Sequence, residues 1–184
     1  TQKNDLEDRL GNEYDFISFS DENSHPILLK SGVFTVLESG SFEEPVFCVV
    51  DRFINYAVLE QQSSGERFIF YNSQFCPSQA SFDEGGLTAL ERNEQHASSL
   101  ILAINANTAS WPDLPVVAVG DLNANVSSVT MQYLLGEATL TDGSVNDVLL
   151  ADSWDTVYPG ATRTANVDWI LHTPTGLTLV ENIT

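Results

Sequence analysis

The segment "LPVVAVGDLNANVSS", Leu114 to Ser128, constrains this chain more than any other. "VVAV" is a short continuous apolar run, the mark of a strand buried on both faces. It runs straight into Gly-Asp-Leu-Asn. On an extended segment Asp121 and Asn123 share parity, so their side chains point the same way. Both leave the C-terminal end of a buried strand, where open α/β sheets place their ligands. The carboxylate can bind or orient a divalent ion or a water, and the neutral amide can donate to a phosphate oxygen without repelling it. The same tetrapeptide is also turn chemistry, since Asp, Asn and Gly dominate turns. These residues alone leave both readings open.

The rest of the chain supplies the layers such a strand needs. "TQKNDLEDRLGNE" reads as a loop or short helix, "YDFISFS" as a strand, and "HPILLKSGVFTVLE" as one or two short strands. "SGSFEEP" reads as a loop. "VFCVVDRFINYAVLEQ" and "GERFIFYNSQF", joined by "QSSG", read as an antiparallel hairpin. From Leu87 to Asn105 the period changes to helical, with Leu87, Leu90, Ala97, Leu100, Ile101 and Ile104 on one face and Glu91, Arg92, Glu94 and Gln95 on the other. "NTASWPDLP" ends that helix. "SVTMQYLLG" can form a short helix, "LLADSWDTVYPGATRT" a loop-rich connection, "NVDWILHT" a strand and "LTLVENI" a last strand. The order implies a layered α/β domain spanning residues 1–184.

Twenty-six acidic residues against seven basic ones give a net charge of −19. Such a surface repels nucleic-acid backbones at long range and fits a secreted or salt-tolerant protein. No apolar run approaches the ~20 residues needed to cross a bilayer. The start lacks an initiator Met, a basic region and a signal-type apolar run, so the chain reads as a mature form or a fragment. Cys48 and Cys76 lack zinc-ligand spacing. A disulfide between them and two buried thiols are both open. Asn125-Val-Ser and Asn182-Ile-Thr are N-glycosylation triplets, in keeping with a secreted, extracellular location.

Further candidate site residues follow from the strand ends. Asp168 in "NVDWILH" is a carboxylate inside an apolar strand, costly unless paired, functional or facing water. Asn72 and Gln74 share a face at the end of "FIFYNSQF", as either a functional pair or a polar strand end. Arg52 and Arg92 are two of only seven basic residues, and Arg92 reads as a solvated or ion-paired helix residue. His25, His96 and His172 are scattered and flank no nucleophile. No serine sits in a Gly-x-Ser-x-Gly elbow, so nucleophilic triad chemistry has no support.

Taken in order, "YNSQF", the helix carrying "ERNEQ", "VVAVGDLNAN", "LADSWDTV" and "NVDWIL" resemble the endonuclease/exonuclease/phosphatase superfamily from about Asp51 to the C-terminus. That resemblance implies a DNase I-like four-layer α/β sandwich of two mostly antiparallel β-sheets flanked by helices. It implies phosphoester hydrolysis by a water activated by Mg²⁺, or by Mn²⁺ or Ca²⁺. Asp121 would orient or activate the water and Asn123 would hold the phosphate. Asp168 would orient a catalytic His or help hold the metal, which makes Asp121 and Asp168 the metal candidates. Asn72 and Gln74 would lie on the phosphate-facing side.

The chain also departs from the family pattern. That pattern begins with a strand carrying a catalytic Asn and a strand ending in Gln-Glu, and neither precedes "YDFISF". It has Asn-Thr-His where this chain has Asn72-Ser73-Gln74, and Gln74 cannot carry a proton. It closes with Ser-Asp-His, where this chain stops at "LVENIT". A domain incomplete at its N-terminus and slightly at its C-terminus is therefore expected.

Two functions follow. One is a phosphodiesterase or phosphatase, inactive as the 184-residue chain, acting on a lipid head group or small phosphoester rather than nucleic acid. The other is a catalytically dead extracellular structural or protein-binding module, with another chain covering the incomplete sheet.

Overall fold

The structure is a computed structural model that describes residues 2–19, 25–44, 48, 52–77, 86–161 and 168–177. Its elements are α1 (Gln2–Leu10), β1 (Tyr14–Ile17), β2 (Ile27–Lys30), β3 (Phe34–Glu43), β4 (Phe53–Gln61), β5 (Arg67–Asn72), α2 (Ala89–Ser110), β6 (Val116–Asp121), α3 (Val129–Leu134), β7 (Ala151–Asp152), α4 (Ser153–Val157) and β8 (Asp168–His172). Among the described residues these strands form two sheets. One pairs β1 with β2, and the other runs β3-β4-β5-β6-β8-β7. All pairings are antiparallel except β5–β6, which are parallel and joined through α2. The fold is α/β, with two sheets and flanking helices, as the sequence implies.

Strand alternation splits the core between the two faces of the large sheet. Ile54 and Val58 of β4, Ile69 and Tyr71 of β5, Val116 and Ala118 of β6, and Trp169 and Leu171 of β8 join Ala97, Leu100, Ile101 and Ile104 of α2 and Met131 and Leu134 of α3. Each fully buried Leu or Ile here contributes about 1.5–3 kcal/mol. On the opposite face Ala57 and Leu59 meet Ile27 and Leu29 of β2, with Phe34, Phe68 and Phe70 packed around them. The "VVAV" strand thus has β5 on one side and β8 on the other.

Local chemistry sets the element ends. Thr88 caps α2: its hydroxyl accepts from the Glu91 N–H at 3.2 Å, while the Glu91 carboxylate accepts from the Thr88 N–H at 2.7 Å. This reciprocal cap satisfies two donors the helix leaves without partners. Trp111 stops the helix, its N–H bonding the Asn107 carbonyl at 2.9 Å. Ser128 caps α3 through the Met131 N–H, and Asp152 caps α4 through the Trp154 N–H.

Some sequence expectations shift. "SGSF", read as part of a loop, belongs to β3, which pairs with β4 from Phe34 to Glu43 with a bulge between Val36 and Glu38. Gly40 allows this because a Cβ there would come within 2.8 Å of the Tyr56 ring, so the aromatic covers a bare backbone. The helix extends past Asn105 to Ser110. Its expected polar face is partly internal, since Arg92 and Glu94 are buried whereas Leu90 and Leu102 are exposed. Glu94 is used to accept from the Thr141 N–H and hydroxyl at 2.8 and 2.9 Å. The connection after Leu149 contains β7 and α4. From residue 178 the expected last strand lies outside the described residues.

One glycine lets β5 and β6 approach closely at their C-terminal ends. Gly120 has φ of +148°, and a Cβ there would lie 1.8 Å from the Ser73 carbonyl oxygen, which is backbone and cannot swing away. Gly120→Ala should therefore destabilise the fold by about 2–4 kcal/mol through combined clash and backbone strain. Urea unfolding checks this, and a loss well under 1 kcal/mol would contradict the close approach.

Candidate functional site

The site candidates gather where β5 and β6 end side by side. Because these strands are parallel, their C-terminal ends share one edge, and the start of antiparallel β8 joins them. Asp121 and Asp168 are direct partners across β6 and β8. Asn72 ends β5 and pairs with Asn55 of β4 and Val119 of β6. Beyond Asn72 the chain stays in register with β6: the Ser73 N–H bonds the Val119 carbonyl at 3.1 Å, and the Phe75 N–H bonds the Asp121 carbonyl at 2.9 Å. This places Gln74 beside the end of β6.

The Gly-Asp-Leu-Asn segment forms the turn that its composition allows. Asn123 sits at φ +45°, and its N–H bonds the Asp121 carboxylate at 3.1 Å, a side-chain turn. The turn delivers Asp121 to the strand end, half-buried. The Asn123 amide donates to the Phe75 carbonyl at 2.9 Å, so here it ties the two strand ends together. Its own carbonyl accepts from Asn93 of α2 at 3.2 Å. Leu122 is buried, and the Trp169 indole donates to the Ala124 carbonyl at 2.9 Å, anchoring the loop from beneath.

Arg52 and His25 join this group, and sequence reasoning did not place them there. Arg52 Nη1 donates to the Gln74 side-chain oxygen at 2.5 Å, and Nη2 lies 4.0 Å from Cys48 Sγ. Burial lowers the Arg52 pKa, while the Asp121 carboxylate raises it in opposition. His25 is held by its carbonyl, which accepts from the buried Asn55 amide at 2.9 Å, and Asn55 in turn accepts from Ser41 at 2.7 Å. Its imidazole is pushed below its ordinary value, first by burial and then by the Arg52 charge, against a hydrogen bond to Gln74 that raises it. The available signal was scarcity. Arg52 is one of seven cations in the whole chain, and it lies four residues from Cys48.

A buried support lies under the mouth. Cys48 and Cys76 form a disulfide, fixing the segment before β4 to the tail of β5. Ser73 donates to Glu44 at 3.0 Å, and the Glu44 N–H bonds the Arg52 carbonyl at 2.9 Å. His96 Nδ1 contacts the other Glu44 oxygen, and the His96 ring stacks on Phe75 at 5.3 Å. Burial pushes His96 down to about 4, so at neutral pH an uncharged imidazole meets the carboxylate. Its Nε2 is buried without a hydrogen-bond partner.

Asn125 is exposed, with its side-chain oxygen accepting from Ser127. Asn182 lies outside the described residues. Asp121 and Asp168 bring two carboxylates together, but among the described residues no group of three or more His, Cys, Asp or Glu could hold a metal ion. A hard divalent cation favours six or more oxygen ligands. Two carboxylates, one facing a guanidinium, do not fit such an ion by themselves. Among the described residues no helix is long and apolar enough to cross a membrane.

The model of the Endonuclease/Exonuclease/phosphatase family matches residues 25–182, and the chain belongs to that family. Among solved structures it is similar to a mannosyl-6-phosphatase of Bacteroides thetaiotaomicron, with TM-score 0.69, 15% identity, and coverage of 94% of this chain and 68% of that one. An endonuclease/exonuclease/phosphatase from Bacteroides vulgatus gives TM-score 0.68 and 19% identity over 94% and 69% of the two chains. The human Nocturnin catalytic domain, solved with a bound sulfate anion, gives 0.63 and 14% over 92% and 63%. The chain thus spans about two thirds of the length of these structures. No curated protein matches it.

The His96 environment gives a pH dependence with a definite sign. The folded pKa lies below the unfolded one, so on acidification the unfolded chain takes up the proton first. This contribution to stability is complete above about pH 6.5 and is lost as pH falls toward about 4. His25 acts in the same direction. His96→Asn, which keeps an amide near the Nδ1 position, should remove most of the His96 share when urea stability is compared across that window. An unchanged fall would contradict a neutral buried His96.

Proposed function

We propose that this chain is a phosphoester-hydrolase-like domain that receives a phosphoryl group at the ends of β5, β6 and β8, and does not turn it over by itself. One observation carries the reading: Asp121, Asp168, Gln74 and Arg52 converge at one sheet edge without a third acid among the described residues. Asp121 can orient a water there, and Arg52 and neutral amides can receive phosphate oxygens. Gln74, at the position the family pattern gives to His, cannot move a proton. Among the described residues these groups do not make up a divalent-metal centre on their own. Mg²⁺, Mn²⁺ or Ca²⁺ would enter only with further ligands.

The net charge of −19 favours a lipid head group or small phosphoester over nucleic acid. An extracellular, oxidising location is supported by the Cys48–Cys76 disulfide and the acidic composition. A second reading, a protein-binding module of the same fold, draws on Ile170. Its side chain is 54% exposed on the large sheet, two residues from Asp168.

The test is hydrolysis of p-nitrophenyl phosphate and bis-p-nitrophenyl phosphate by the purified chain with Mg²⁺ or Mn²⁺. Turnover should not exceed that of Asp121→Asn. Turnover well above Asp121→Asn would overturn the inactive reading.

A further inference from the structure

We propose that Arg52 takes the place of a divalent metal at this mouth, and that the phosphoryl group it receives binds without any metal ion. The inference rests on the reading that a phosphoryl group binds here, and goes beyond it by naming the cation. Three observations carry it.

The first is position. Arg52 precedes β4 and reaches the end of β5, where it donates to Gln74. Gln74 is in turn kept beside Asp121 by the backbone bonds of Ser73 and Phe75 to β6. The guanidinium therefore stands on the edge where Asp121 and Asp168 face each other across β6 and β8.

The second is fixation. The Arg52 carbonyl is held by the Glu44 N–H, and Nη2 lies against Cys48, itself bonded to Cys76 beyond Gln74. A flexible surface arginine would lose much rotamer freedom on binding an anion, whereas one already fixed loses less. Gln74 takes one of the five guanidinium N–H donors, and the side chain is only half-buried, so donors remain for an incoming oxygen.

The third is the donor set. Among the described residues the two paired carboxylates are too few for a hard cation, whereas the Arg52 guanidinium stands near enough to Asp121 to feel its charge. Gln74 fits this arrangement as well. A protonated His beside Arg52 would repel it, while a neutral amide oxygen accepts from it.

A metal site and an arginine site respond oppositely to the loss of Asp121. If Asp121 held a metal that bound phosphate, Asp121→Asn would weaken phosphate binding. If Arg52 is the cation, Asp121 competes with phosphate for it, and Asp121→Asn should strengthen binding. Asn keeps the oxygen that accepts the Asn123 N–H, so the turn survives.

The experiment is calorimetric titration of the whole chain with inorganic phosphate in EDTA, then with Mg²⁺ in excess. Wild type should bind in EDTA with little change on adding Mg²⁺. Arg52→Gln should bind about tenfold more weakly or worse, and Asp121→Asn about threefold more tightly, as expected for gain or loss of a charge-assisted contact. Should Arg52→Gln fail to fold, the direction of the Asp121→Asn change decides alone. Binding that needs Mg²⁺ and is weakened by Asp121→Asn would overturn the Arg52 inference and leave the phosphoryl-site reading standing. No phosphate binding in either condition would overturn both.

Discussion

The candidate site depends on a contact that has no side chain on one side. The bare α-carbon of Gly120 lies against the Ser73 carbonyl, so the chain leaving β5 can run on beside β6. That approach permits the Ser73–Val119 and Phe75–Asp121 hydrogen bonds. These bonds carry Gln74 to Asp121, and Asn123 closes the join from the other side through the Phe75 carbonyl. A methyl group at position 120 would separate the two strand ends, with Gln74 on one and Asp121 on the other.

Beneath this join lies an unusually polar support for so buried a place. Ser73, Glu44 and His96 form a chain of contacts closed over by Phe75 and the disulfide. A buried carboxylate is tolerated only when its oxygens are satisfied, and both Glu44 oxygens are. This network belongs to the support rather than the mouth. It fixes the backbone on both sides of Arg52 and Gln74, and so fixes the two side chains that stand there. In a chain of net charge −19, a single fixed guanidinium is a scarce source of local positive potential.

Much of the fold was legible because it rests on periodicity. Ala97, Leu100, Ile101 and Ile104 read as a helix face and "FINYAVLEQ" with "RFIFYN" as a hairpin, and the structure has both. "VVAV" is a strand as read, but buried on one face, with Val116 and Ala118 inside and Val117 and Val119 half-buried. "SGSF" was misread because Gly and Ser signal turns locally, while the covering ring of Tyr56 comes from a neighbouring strand. Glu94 was put on the solvent face because a helical pattern cannot foresee Thr141 arriving 47 residues later to be bonded. At the site, parity put Asn72 with Gln74 and Asp121 with Asn123, but Asn123 leaves the strand in a left-handed turn, and the partner Asp121 meets across the sheet is Asp168. Arg52, His25 and Glu44 could not be placed by parity, because their roles arise only from pairing between distant segments. Asn123 illustrates the limit: its type suits phosphate, yet the structure spends its amide on a backbone carbonyl.

The most direct measurement is an NMR titration of the isotopically labelled chain with inorganic phosphate, following backbone amides and the arginine side-chain Nε–H signals. If the β5–β6–β8 mouth is a phosphoryl site, the largest shifts fall at Ser73–Phe75, at Gly120–Asn123 and on Arg52. Shifts confined to other surfaces, or none at phosphate concentrations that saturate ordinary anion sites, would contradict it.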